Sequence, residues 1–150
     1  MAAERGGRIS DVLGVDPTAA GSWVNGSGLV FDHASGSRVS GHVELGPQHR
    51  TPWGVVHGGL YATVAESVAS VGASAAVLER GQFAVGVDNV TDFLRPMTEG
   101  RLDVEAVPVV QGRGDQLWEV TMSRSDGKPV ARSRIRLRNV DLPSTSTPTG

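Results

Sequence analysis

Glu66 is the only charged residue in the run GGLYATVAESVASVGASAAVL (58–78), and it follows the first glycine of a His57-Gly58-Gly59 triplet by eight positions. A helix apolar on nearly every side is expected to be buried. A carboxylate inside it then needs either a partner or a task. Burial disfavours the ionised form unless hydrogen bonds compensate, and a carboxylate poised in this way serves as a nucleophile or as a general base toward water. Acids of this kind concentrate at active sites. The plainer alternative is a carboxylate satisfied by a helix-end or side-chain donor. Ser70 lies one turn further along the same face, within reach of Glu66 or a water, and Ser67 is expected to point elsewhere.

The start of the same helix carries a second feature. A helix N-terminus presents unpaired N–H groups and a partial positive charge. Gly58 and Gly59 have no side chain to shield those amides, so a polarised carbonyl, or the oxyanion formed on its attack, can approach. Glycines also begin helices for purely steric reasons, and His57 is read equally as a helix cap or as support for the site. Eight residues span about 12 Å of helix axis, whereas a reacting carbonyl needs its donors and its attacking group within roughly 3.5 Å. One helix cannot easily supply both. Two antiparallel copies can, which suggests a site shared across a two-fold dimer.

The elements that must position these groups follow from the pattern. Leu29–His33 and Arg38–Leu45 are expected as strands joined by Ala34-Ser35-Gly36-Ser37. Gly46–Val56, with Pro47, Pro52 and Gly54, reads as a loop. A helix of roughly twenty residues begins near Gly58 and ends before Gly81. Four strands are expected at Phe83–Leu94, Arg101–Gln111, Leu117–Arg124 and Pro129–Arg138. In the last, Arg132, Arg134, Arg136 and Arg138 alternate with Ala131, Ser133, Ile135 and Leu137, so the arginines form a solvated face. A helix lacking charge needs cover, and a curved antiparallel sheet wrapped around it supplies that cover: an α+β layout. The domain is expected over 21–140, with an N-terminal arm at 1–20 and a disordered tail at 141–150.

Composition narrows the function. The chain has 150 residues, a formal net charge of −2 and no cysteine. One domain of that size buries an adequate core. Near-neutral charge gives no steering toward nucleic acid or anionic membrane. Without cysteine there is no disulfide framework and no thiolate chemistry, which is compatible with a cytoplasmic protein. The start MAAERGGRISDVLGV lacks the apolar core of a secretory signal. The four histidines show no ligand spacing with acids, so no metal site is expected.

The run Trp53 to Glu66, W-G-V-V-H-G-G-x-Y-x-x-x-A-E, with Asp92-Phe93-Leu94-Arg95-Pro96 and Glu99-Gly100 beyond it, resembles the hotdog-fold thioesterases. The likeness is greatest to the phenylacetyl-CoA thioesterase-like group and the 4-hydroxybenzoyl-CoA thioesterases of the Arthrobacter type, and it covers about Arg50 to Arg138. The resemblance implies a sheet around a central helix, a homodimer with shared sites, commonly a homotetramer, and hydrolysis of an acyl-CoA thioester with coenzyme A as part of the substrate. By position it implies that the Gly58 amide polarises the carbonyl and that Glu66 of the partner copy is nucleophile or base. It further implies that Ser70 orients water and that His57 supports the helix start. Arg95, with Arg113 in the Gly-rich turn as a weaker candidate, is implied for coenzyme A phosphate, and Gly59 at the helix tip is counted with them as coenzyme A-binding. Six residues before His57 the family often has Asn or Gln. Here that position is Thr51, so its hydroxyl substitutes, Gln48 reaches in, or the contact is missing.

Two other readings are a hotdog enoyl-CoA hydratase or dehydratase, which needs His and a carboxylate as a proton-transfer pair, and a non-catalytic acyl-CoA binding module. No DNA-binding helix pair is evident. Phe83, Met97, Trp53, Tyr61 and Trp118 are candidates for an acyl pocket and equally for the core. Aromatic and medium-chain acyl groups both remain open.

Overall fold

The computed structural model describes residues 8–144; part of the expected N-terminal arm and most of the expected tail lie outside them. Two short helices come first, α1 (Ile9–Leu13) and α2 (Trp23–Ser27), followed by β1 (Val30–Ala34) and β2 (Val39–Leu45). A 3-10 turn at Pro47–His49 leads to α3 (Gly58–Ala75), and a second one at Leu78–Arg80 ends on Gly81 in the left-handed region. Four strands complete the chain: β3 (Gln82–Phe93), β4 (Gly100–Gln111), β5 (Asp115–Arg124) and β6 (Pro129–Asp141).

All six strands form one antiparallel sheet in the order β1-β2-β4-β5-β6-β3. Alternation decides its faces. Ala131, Ser133, Ile135 and Leu137 point inward and are buried, while the four arginines between and beyond them point outward. Trp118, Leu102, Met122 and Ile135, all fully buried, form the inner surface on which α3 lies. The expected strands all form, within a few residues at each end; α2 was not anticipated.

Helix and sheet approach closely at one point. A Cβ on Gly72 would stand 2.5 Å from Trp118 Cη2 and 2.7 Å from Cζ3, so the indole lies directly against helix backbone. Beside it, buried Gln116 donates from Nε2 to Ala73 O (2.9 Å) and Asn139 Oδ1 (2.8 Å), and its Oε1 accepts the Trp118 indole N–H (2.9 Å). This network satisfies its polar groups inside the core and fixes the rotation of α3 about its own axis.

Rotation decides which side chains face away from the sheet. The expectation that α3 is covered on most sides does not hold for this chain. Val64, Ala65, Val68 and Ala69 are buried, yet Gly59 and Glu66 are exposed, and Ala62, Thr63, Ser67, Ser70 and Ser74 are partly open. Apart from Glu66, the open stripe consists of small and hydroxyl side chains, which lack charge but supply little apolar surface to bury. Of the sheet edges, β3 is long and pairs only with β6, and Val85, Val87, Val90 and Phe93 along it are exposed.

Gly72→Ala measures the helix–sheet approach. Alanine gains about 1 kcal/mol of helix propensity, but overpacking against a buried ring costs up to about 3 kcal/mol. The expected net loss is about 2 kcal/mol, seen as a lower urea midpoint at unchanged slope.

Candidate active site

The tip of α3 is built by the preceding loop. His49, buried, accepts the Gly46 N–H at Nδ1 (3.1 Å), which leaves its proton on Nε2, facing Ser27 O (3.0 Å). Its carbonyl accepts the His57 N–H (2.8 Å), so one imidazole-bearing residue ties α2, the loop and the helix start together. His57 is the N-cap: its Nδ1 accepts the Gly59 N–H at 2.8 Å, and its carbonyl accepts the Leu60 N–H. The Gly59 amide is therefore taken. The Gly58 N–H has no acceptor among the described residues. Gly58 is also small for a local reason, since a Cβ there would lie 2.8 Å from Phe93 Cζ. Phe93 stacks obliquely on buried Tyr61 (6.0 Å, 44°), and burial pushes the Tyr61 phenol up from its usual pKa, so it stays protonated and acts as apolar filling.

Glu66 stands two turns further along, on the open stripe. Its carboxylate leans on β3, where Asn89 Nδ2 donates to Oε2 at 3.3 Å. The other oxygen occupies the space left by Gly86: a Cβ there would be 2.6 Å from Oε1. A cavity of about 470 Å³ opens in front of it, within the range of small-molecule sites, with apolar walls from Leu13, Trp23, Val24 and Phe31. Ser67 and Ser70 face the same cavity; Ser67, expected to point elsewhere, donates to Thr63 O (2.7 Å). The Ser70 hydroxyl has no partner among the described residues and remains available to water or substrate.

A second cavity of about 500 Å³ lies over the helix tip, lined by His57, Gly59, Gln48 and Arg50 among others. Trp23 and Thr63 border both cavities, and the Trp23 indole N–H donates to Thr63 Oγ1 at 3.2 Å, so Trp23 is the partition between them. Gln48 reaches this tip cavity; Thr51 lines neither cavity, and its Oγ1 accepts the Trp53 N–H (3.3 Å). The cation of the tip cavity is Arg50, held by Thr98 O (2.7 Å).

Arg95 and Arg113 lie at opposite ends of the sheet. Arg95 is exposed near the helix start, donating to Pro129 O (2.7 Å) in the segment whose Met97 O accepts the Val56 N–H. Arg113 sits in the β4–β5 turn, near the C-terminal end of α3. Phe83, Met97, Trp53, Tyr61 and Trp118 line neither cavity, and Trp118 is wholly core.

Asn89, Gly86 and Trp23 have no place in the sequence reading. One signal existed: a glycine inside a strand of β-branched neighbours marks a bulge or a close approach. Gly86 is both, since the β3–β6 register shifts between Gly86 and Asp88.

A six-stranded antiparallel sheet wrapped on one helix, with an acid on the open helix face and a free amide at its tip, is a hotdog-type hydrolase arrangement. The chain belongs to the thioesterase superfamily, whose family model matches residues 54–131, and it is a thioester hydrolase. It is similar to a Mycobacterium tuberculosis protein named as an esterase, 36% identical over 116 residues covering 76% of this chain and 83% of that one. The solved structure of that esterase superposes with a TM-score of 0.78 at 35% identity, covering 81% of this chain and 98% of the other. A 1,4-dihydroxy-2-naphthoyl-CoA thioesterase of Arabidopsis thaliana is 38% identical over 96 residues, 63% of this chain and 60% of that protein. A thioesterase structure from Haemophilus influenzae gives a TM-score of 0.78 at 26% identity, over 85% and 89% of the two chains.

The cap role of His57 has a direct measure. Loss of an N-cap acceptor costs about 1 kcal/mol, so His57→Ala is expected to lower the thermal midpoint and His57→Asn, which keeps an acceptor, to recover most of it.

Proposed function

We propose that the protein hydrolyses acyl-CoA thioesters, with water adding to the thioester carbonyl and the carbon–sulfur bond breaking to release a free acid and coenzyme A. Glu66 takes the proton from the attacking water as general base, or attacks the carbonyl itself to form an anhydride that water then opens. The Gly58 N–H receives the developing oxyanion, and Ser70 orients the water. Arg95 meets a coenzyme A phosphate, with Arg113 the weaker candidate because it lies far from the helix tip. Gly59 acts through the tip geometry that His57 fixes.

The observation that carries this reading is the pairing of an open, cavity-facing carboxylate with one unsatisfied amide on the same helix. The two are about 12 Å apart along the axis, too far to serve one carbonyl. The edge of β3 beside Glu66 is unpaired and exposes Val85, Val87, Val90 and Phe93 beside Asp88 and Asp92, and an open strand of that length is suited to pairing with a second copy. An antiparallel copy joined there brings its Gly58 toward this Glu66, so each site is shared between two subunits. The Arabidopsis relative is named for a dihydroxynaphthoyl thioester. Trp23 and Phe31 on one side of the cavity, with Ser67 and Ser70 on the other, suit an aromatic acyl group, which is the first class to assay.

Glu66→Ala and Glu66→Gln are expected to lower thiol release by at least about 1,000-fold, with the circular dichroism spectrum unchanged; parent rates in either folded variant end the proposal. Sharing is tested by mixing. Gly58→Pro removes the free amide at a helix position whose backbone accepts proline; its Cβ displaces the exposed Phe93 ring, so the fold of the variant is checked by circular dichroism. Refolding it with Glu66→Ala at equal amounts gives mixed dimers with one intact site, so about a quarter of parent activity returns. A site contained within one chain returns none.

A further inference from the structure

Asn89 has an orientation that its neighbours determine. Its Oδ1 accepts the Thr91 hydroxyl at 2.8 Å, so Nδ2 is the end that faces Ala62 O (3.1 Å) and Glu66 Oε2 (3.3 Å). Because Thr91 gives its proton to Asn89, its oxygen receives one from Ser133 Oγ, 2.8 Å away on β6. The chain Ser133→Thr91→Asn89→Glu66 therefore runs in one direction, with every donor aimed toward the carboxylate. Ser133 is buried, which anchors the chain in the sheet. On the other side of the carboxylate the bulge between Gly86 and Asp88 brings bare backbone against Oε1. Bulges re-aim neighbouring groups and gather at active sites.

We infer that Asn89 and Gly86 are positioning residues that fix the Glu66 carboxylate for reaction, Asn89 by donating to one oxygen and Gly86 by leaving room for the other. The inference rests on Glu66 acting as proposed above. The donor has reason to be neutral. An arginine at the same place would hold the carboxylate as a strong ion pair and lower its basicity, while an apolar residue would leave the side chain free among rotamers. An amide locked by a helix carbonyl and a threonine hydroxyl orients the oxygen without setting a positive charge against it. The cavity walls from α1, α2, β1 and α3 bring no other titratable side chain to Glu66 among the described residues, and the titratable side chains of β3 are Asp88 and Asp92, both exposed.

Asn89→Asp, Asn89→Ala and Gly86→Ala are assayed beside Glu66→Ala by thiol release from an aryl-CoA, with melting temperatures recorded for each. Asn89→Asp keeps the shape but replaces the donor with a second carboxylate. It is expected to lower kcat by about 100-fold, as for a misplaced catalytic group, with KM within about twofold, and to move the acid limb of kcat/KM to higher pH, since a like charge disfavours ionisation of its neighbour. Asn89→Ala is expected to lower kcat with a smaller movement of that limb. Gly86→Ala meets only the flexible end of Glu66, so it is expected to fold as the parent does while kcat falls by about tenfold or more. Parent kcat and pH profile in Asn89→Asp, or parent kcat in Gly86→Ala, overturns the inference, provided Glu66→Ala is inactive. Parent activity in Glu66→Ala instead overturns the reading of Glu66 itself, so the two failures are distinguishable.

Discussion

The rotation of α3 on the sheet is the constraint from which the rest follows. It is set where Trp118 lies against Gly72 and where Gln116 binds both Ala73 and Asn139. A helical residue turns about 100° from its neighbour, so a small change in that seat moves every side chain on the opposite face. With the seat as found, Val64 and Val68 enter the core and Glu66 faces out toward β3. A carboxylate 100° further round, at the fully buried position of Ala65, would be neutralised by desolvation. The chemistry thus depends on a contact made by an indole and a missing methyl group on the far side of the helix.

Charge elsewhere is arranged so as not to compete. Several outward arginines are paired locally: Arg132 with Glu119, Arg138 with Asp115, Arg101 with Asp103, Arg38 with Glu105, whereas Arg134 and Arg136 have no ion pair among the described residues. Exposed pairs of this kind contribute little to stability. They balance charge pair by pair, and none of these arginines lines the Glu66 cavity. Asp126, drawn down to about 2 by Arg124 in the β5–β6 turn, is another self-contained pair.

Much of this was legible in the chain, and what was not has identifiable causes. Strand positions followed from period-two alternation, clearest in 131–138, and the helix start from His57-Gly58-Gly59. The exposure of Glu66 was misjudged because absence of charge was read as apolarity. Thr63, Ser67, Ser70 and Ser74 recur at helical spacing and mark a face with little to bury. The partners of Glu66 were invisible for another reason. Asn89 and Gly86 stand twenty or more residues away, and only strand order and a bulge bring them to it. Trp23 was missed because α2 is five residues long, too short to leave a periodic signal.

The tip of α3 shows how stability and chemistry divide one set of groups. A helix start has orphan N–H donors, and each one capped stabilises the helix while removing a site for an anion. His57 caps the Gly59 amide through its own side chain, and its carbonyl takes the Leu60 amide, which leaves Gly58. Aspartate or serine, the usual caps, would satisfy the same donors. Aspartate would also place a negative charge beside the one amide left free, where the proposed reaction forms its oxyanion. An uncharged imidazole acceptor caps the helix without that repulsion. The residue that looked equally like a cap and like part of the site is consistent with both roles, because the way it caps decides which donor remains.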